Sequence, residues 1–398
     1  MTNKQPKLLI AGGGHAEIPL IQAGKSLGFY VISSGNRPQD LGHNFADEVR
    51  LEDFSNLEAM LALAEELKID AICSACNDFS AITASYVAEQ LGLPGHDSIE
   101  VAQLIHHKDR YRSFAQQLGI PSPRAMGCSD LVSVEEAIRQ LSYPLIIKPV
   151  DLTGGKGIAR VDCSEDAMLA AQKAFLISKA KRIVVEEFIT GSRHGFTAML
   201  RNGRVVFHFA DDEHYHLSPY LVSGASAPTS CPPASITRLV EFSETIASDL
   251  RLVDGIFHVQ FIQPEVGDPV IIEICRRAPG DLYVELVRHA TGIPYAEWIV
   301  RAACGMGISQ AHAMPVSRCV TRHCLMAENP GVFDGFYFDP IVEQAIMDRL
   351  VWAKLGDEVN DASIHKFGIV FVKHRNIEHM REQVPKLQQL LASRIKTK

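Results

Sequence analysis

The stretch Ser142–Ile158, SYPLIIKPVDLTGGKGI, restricts the fold more than any other part of the chain. Leu145, Ile146 and Ile147 form a short apolar run suited to a buried strand, and Pro149 removes a backbone donor and steers Lys148 away from helical angles. A lysine is thereby delivered to a strand end. Thr153, Gly154, Gly155, Lys156 and Gly157 follow, and glycines at this density let the backbone approach a ligand closely and aim several N–H groups at one anion. Taken alone, the same run also suits a tight turn between strands, with Lys148 a solvated strand end.

The N-terminal part alternates strand and helix. Strands are expected at Lys7–Ala11, Phe29–Ile32 and Ala71–Ser74, and helices near His15–Leu27, Asn56–Leu67 and Phe79–Leu91, which implies a parallel sheet covered on both faces. Gly12-Gly13-Gly14 after the first strand invites a dinucleotide reading. The fingerprint fails twice, because Glu17 occupies the third glycine position and Ser33-Ser34-Gly35 stands where a ribose-binding acid belongs. Two further helices, near Ser98–Ile105 and Asp109–Leu118, lead to Gly119-Ile120-Pro121-Ser122-Pro123, which cannot continue a helix and marks a boundary.

From Arg124 to Phe188 a smaller α+β unit carries the glycine loop. A hairpin turned by Asn202-Gly203 follows, then a long helix to about Leu250 and paired strands Ile256–Gln263 and Val270–Cys275. Helices near Leu282–His289 and Tyr295–Cys304 and strands near Val320–Ala327 and Phe367–Lys373 come next. KLQQLLASRIKTK reads as a closing solvated helix with an apolar stripe.

With Lys plus Arg at 39 against Asp plus Glu at 47, the net charge of −8 offers no global basic surface for nucleic acid, so an anionic ligand needs local positive charge. No apolar run is long enough for a membrane span or a signal peptide, and a cytoplasmic protein is expected. The nine scattered cysteines then read as reduced thiols; Cys73 and Cys76 form a C-x-x-C without a second ligand pair, and buried loop thiols are the expectation.

Lys108, in HHKDR, and Lys148 can each place a compact positive charge on a polyphosphate. The glycine loop between them and Val184-Val185-Glu186-Glu187-Phe188-Ile189 could close over it. Val184–Ile189 offers backbone polar groups and an aromatic to an adenine, and Glu273 opposite Gln260 gives paired oxygen ligands suited to Mg²⁺. In this order the segments HHKDR, IIKPVDLTGGKGI, VVEEFITG and FHVQFIQPEVGDPVIIEICRRAPGD resemble the ATP-grasp superfamily, which includes biotin carboxylase, carbamoyl phosphate synthetase and L-amino-acid ligases. The resemblance covers about residues 7–310.

It implies an α/β and α+β architecture: a Rossmann-like pre-ATP-grasp domain (1–105), a two-subdomain ATP-grasp domain (106–310, lid about 124–188) and a small C-terminal α+β region (311–398). It further implies that Lys108 and Lys148 hold ATP phosphates with amides of Gly154, Gly155 and Gly157, and that Glu186, Glu187 and Phe188 bind adenine, mainly through backbone groups. Gln260 and Glu273 would ligate Mg²⁺ or Mn²⁺, and Arg277 would stabilise an acyl phosphate or orient a substrate carboxylate. The implied reaction is phosphorylation of a small-molecule carboxylate by ATP, then attack by an amine. A bicarbonate- or formate-activating enzyme and a catalytically weakened ATP sensor are the alternatives, the latter because Gln260, Cys275 and Arg193 stand where the family usually has a carboxylate, often an asparagine, and a ribose-binding glutamate. A homodimer is the expected assembly. Specificity is expected in loops around Asp211–Ser230 and Gly280–Tyr283; among the histidines, His258 shares a strand face with Gln260, His214 and His216 belong to a segment facing the second substrate or to a solvated loop, and His106 and His107 flank a helix.

Overall fold

In the run KLLIA both alternating faces are apolar, as a fully buried parallel strand requires. This computed structural model, which describes residues 5–152 and 154–396, makes the run strand β1 (Lys7–Ala11). It lies within a parallel sheet of order β3-β2-β1-β4, with β2 (Tyr30–Ser33), β3 (Glu48–Val49) and β4 (Ala71–Ser74). Leu9, Ala11, Ile32 and Ile72 pack under Met60, Leu63 and Val87 of the helices Leu57–Leu67 and Asp78–Leu91. Those helices begin where Asn56 and Asn77 cap them through their side chains. The opposite face, with Leu8, Ile10 and Val31, packs with Leu20 and Ile21 and with Trp298 and Ile299 of the later helix Tyr295–Ala303. The first helix is shorter than expected: a 3₁₀ turn at His15–Glu17 precedes Ile18–Ser26, which carries Pro19 in its first turn.

The glycine loop belongs to a second sheet of order β5-β8-β6-β7, built from β5 (Ala125–Cys128), β6 (Leu145–Pro149), β7 (Ala159–Val161) and β8 (Ile183–Glu187). Helices Leu131–Gln140, started by a capping box at Asp130, and Ser164–Ile177 cover it, burying Val134, Ala137, Ala171 and Ala174 against Leu145, Ile147 and Val185. Thr153 lies outside the described residues.

The remaining strands are β9 (Ser192–Arg201), β10 (Arg204–His214), β11 (Gly224–Ala227), β12 (Gly255–Gln263), β13 (Val270–Cys275), β14 (Cys319–Met326), β15 (Gly331–Phe338), β16 (Ile346–Val351), β17 (Glu358–Val359), β18 (Lys366–His374) and β19 (Leu391–Lys396). Eight of them form one sheet of order β13-β12-β9-β10-β11-β14-β18-β16. Residue 310 marks no break in this sheet, since β14 pairs with β11 across it.

The closing helix is a correction. Helix covers only Ile377–Gln383 and Leu387–Leu390, and Leu391–Lys396 is a strand paired with β15 in a sheet of order β17-β15-β19. Leu391 is fully buried in a cluster with Phe333 and Phe367. A partner strand far away in sequence overrides the local helical stripe.

Candidate active site

One cavity of about 380 Å³ opens between the second sheet and the large sheet. Lys108, Lys148, Gly154, Gly155, Glu186, Glu187, Phe188, Gln260, Glu273 and Arg277 all line it. Gly157 does not line it; a Cβ there would meet Ile177 and Pro149, so this glycine serves packing beneath the helix Ser164–Ile177.

Lys148 is buried at the end of β6, where its ammonium donates to Glu186, and Arg112 donates to the other oxygen of that carboxylate at 3.0 Å. Burial lowers the Lys148 pKa against the pull of Glu186. Burial alone would raise Glu186, but Arg112 and Lys148 hold it below the usual range. Glu186 thus serves as the counter-ion of Lys148 through its side chain. Its backbone lies in the central strand β8, between β5 and β6. The N–H groups of Glu187 and Phe188 are bonded to the carbonyls of Arg124 and Pro144, both at 2.9 Å. Those two N–H groups are therefore already engaged within the sheet. The Phe188 ring carries the Arg160 guanidinium 4.6 Å from its centroid.

Gly154 and Gly155 have φ of +68° and +75°, angles that favour glycine, and a Cβ on Gly155 would stand 2.7 Å from the Tyr220 carbonyl. The loop thus rests on the Tyr220–Val222 segment, which also lines the cavity. By contrast, Gly13 of the N-terminal glycine run is closed off by the His43 ring, 2.0 Å from where a Cβ would lie, and the Glu17 carboxylate accepts from the Cys76 N–H. That loop is filled by neighbouring side chains, in keeping with the failed dinucleotide fingerprint.

Across the large sheet, Asp211, Gly195, Gln260 and Glu273 stand in one cross-strand row on β10, β9, β12 and β13. Lys108, at the start of the helix Lys108–Gln117, donates to the Leu152 carbonyl at 3.0 Å and approaches Glu273 at 3.4 Å. Gln260 donates its N–H to Glu213 at 2.7 Å, which leaves its carbonyl oxygen as a ligand. Glu273 already faces a cation, and with the Gln260 oxygen it fits a hard divalent ion. Cys275 also lines the cavity, but burial pushes its thiol up to about 12, so it stays protonated.

Arg277 reaches the cavity because Asp78, at the start of an N-terminal-sheet helix, accepts from it at 2.9 Å; Asp78 also meets His106 at 3.0 Å. Burial would raise Asp78, yet Arg277 and His106 hold it well below the ordinary value. The neighbouring Arg276 is clamped by Asp97 at 2.8 Å and faces away from the chemistry.

Four further lining residues, Asp211, Glu213, Asp281 and Tyr283, fall in the stretches about Asp211–Ser230 and Gly280–Tyr283 where specificity is expected, whereas Arg322 and Lys366 have no counterpart in the sequence reading. The last two come from β14 and β18, and only the continuity of the large sheet brings them here. The alternation along β10 explains another correction. Asp211 and Glu213 face the cavity, whereas Asp212 and His214 point away, so His214 bonds Ser226 and does not line the cavity; nor does His216, whose ring lies against His323. His258 does line it, neutral because burial lowers its pKa to about 3. His106 ends one helix and His107 precedes the next without a side-chain capping bond. Cys73 is buried within β4 rather than in a loop, and Cys76 is half-buried.

Residues 106–219 match the family model described as phosphoribosylglycinamide synthetase, ATP-grasp (A) domain. The chain is 23% identical over 333 residues to the C-terminal section of the carbamoyl phosphate synthase large chain of Methanopyrus kandleri, covering 76% of this chain and 59% of that protein. It is 26% identical over 286 residues to human carnosine synthase 1, covering 65% of this chain and 33% of that protein. The chain thus spans less than two thirds of the length of these relatives. The crystal structure of L-amino acid ligase from Bacillus licheniformis superposes with a TM-score of 0.82 at 20% identity, covering 100% of both chains, which shows the shared fold. No helix of the described residues is long and apolar enough to cross a membrane.

Proposed function

We propose that this chain, an ATP-grasp protein by its fold and by the match of residues 106–219, is an ATP-dependent ligase that joins a small-molecule carboxylate to an amine. The supporting observation is the single cavity lined at once by two buried lysines, glycine-loop backbone, the Gln260–Glu273 oxygen pair and Arg277. Lys108 and Lys148 hold the ATP phosphates with the Gly154 and Gly155 backbone, and Glu187 and Phe188 border the adenine. Gln260 and Glu273 hold Mg²⁺ or Mn²⁺, which neutralises phosphate charge when bound. Arg277, fixed by Asp78, orients the substrate carboxylate and then steadies the acyl phosphate by paired hydrogen bonds.

In the first step a carboxylate oxygen attacks the γ-phosphorus and ADP leaves; in the second an amine displaces phosphate from the acyl carbon. Positioning and charge neutralisation supply most of the rate. The test is ADP release with Mg²⁺ and pools of the twenty amino acids and small carboxylates, with products identified by mass spectrometry. Absence of ADP together with absence of ATP binding in calorimetry overturns the proposal, and bicarbonate-dependent turnover without any amine reassigns the chain to bicarbonate activation. A cytoplasmic homodimer completes this reading, and solution mass measures its assembly.

A further inference from the structure

Resting on that reading, we propose that Asp211 is the catalytic proton acceptor for the attacking amine, and that the recess it forms with Glu213, Tyr283 and Arg322 is the amine subsite. Asp211 is fully buried and lines the cavity. One carboxylate oxygen accepts from the Tyr283 hydroxyl, and the other, Oδ2, has no hydrogen-bond partner. A buried carboxylate oxygen left unpaired costs free energy unless a ligand supplies the donor. An ammonium or amine N–H is such a donor.

The surroundings fix this carboxylate in place. Gly195 lies between Asp211 and Gln260 in the cross-strand row, and a Cβ there would stand 2.5 Å from Asp211 Oδ1. Any side chain at 195 would displace the Asp211 carboxylate, which packs directly over this glycine. The charged and titratable groups facing Asp211 are Glu213 on its own strand, Tyr283 from the helix Tyr283–Thr291 and Arg322 from β14, and Asp212 adds negative charge from the other face of the strand. His258 on β12 packs against the Tyr283 ring at 5.1 Å. Burial and Glu213 raise the Asp211 carboxyl to about 8, against Tyr283 and Arg322. A carboxylate of such basicity is matched to proton transfer near neutral pH.

The step balances. A docking ammonium ionises Asp211, whose proton passes to solvent, and the carboxylate then takes one proton from the ammonium nitrogen. The freed lone pair forms the C–N bond while the acyl C–O bond breaks with its electrons on phosphate. The second proton lost by nitrogen goes to the departing phosphate, and the proton that Asp211 has taken restores its resting, protonated form.

The test compares wild type with Asp211→Asn, which keeps an acceptor for Tyr283, using ATP, Mg²⁺ and the twenty-amino-acid pool, with and without hydroxylamine. Hydroxylamine is uncharged at neutral pH and needs no proton acceptor before attack. Asp211→Asn is expected to lose on the order of 10²-fold or more in amide formation, while hydroxamate formation falls by less than about threefold. Equal loss of both, or loss of neither, overturns the inference. Tyr283→Phe, which removes the hydroxyl donor, is expected to move the pH profile of amide formation upward without moving that of hydroxamate formation; an unmoved profile counts against Asp211. A wild type that forms neither product refutes the ligase reading itself. Asp211 is then still judged by infrared difference spectra, in which a protonated-carboxyl band at pH 7, absent from Asp211→Asn, disappears on addition of ethylammonium. Lack of that band, or its indifference to ethylammonium, overturns the subsite.

Discussion

Two buried residues carry the sharpest consequences at the scale of single side chains. Lys148→Ala removes a phosphate contact yet leaves Glu186 paired with Arg112 at 3.0 Å, so the fold should survive and ATP affinity should drop by about 10-fold or more, as read by calorimetry. Asp211 makes a stability prediction apart from its chemistry. Its folded pKa of about 8 lies above the ordinary 3.8, so the native state binds the extra proton and stability falls as pH rises through that window. Asp211→Asn has no such proton to lose. Its melting temperature should therefore gain on that of wild type from pH 4 to pH 8 and run parallel above, by several degrees in all; a constant gap across this window would contradict the assignment.

At the scale of elements, the strands and helices up to residue 310 were largely legible, because continuous apolar runs such as Leu8–Ala11 and caps such as Asn56 and Asn77 act locally. The pair β12–β13 was legible for the same reason, together with its turn. The C-terminal end was not, since β19 exists only because β15, more than fifty residues earlier, offers it an edge. Leu391→Ala should accordingly cost about 2–4 kcal/mol in urea unfolding, because Leu391 is fully buried beneath Phe333 and Phe367. An exposed stripe on a solvated helix would lose well under 1 kcal/mol.

At the scale of the whole molecule, the cavity is assembled from distant parts. Asp78 holds Arg277 across 199 residues of sequence, and Arg322 and Lys366 enter from β14 and β18. Asp281 ties these together: burial would raise its carboxyl, yet Lys366, His15 and Arg322 hold it well below the ordinary range. Asp78→Asn should leave ATP affinity within about twofold while cutting turnover by 10-fold or more, and it should lower stability because the buried guanidinium loses its counter-charge. Calorimetry and steady-state kinetics on the same preparation check both halves; unchanged turnover would show that Arg277 needs no such anchor.

That Lys108, Lys148, Gly154, Gly155, Gln260, Glu273 and Arg277 belong together was legible from the order of the short segments that carry the resemblance, and all of them line one cavity. What a side chain is paired with was not readable. That Glu186 is the counter-ion of Lys148, that Gly157 lies outside the cavity, and that Asp211 keeps a bare oxygen beside Gly195 depend on which strands lie side by side and on which residues they set opposite one another. Register across a sheet is fixed by burial of the whole set of strands, and that is a property of the tertiary structure.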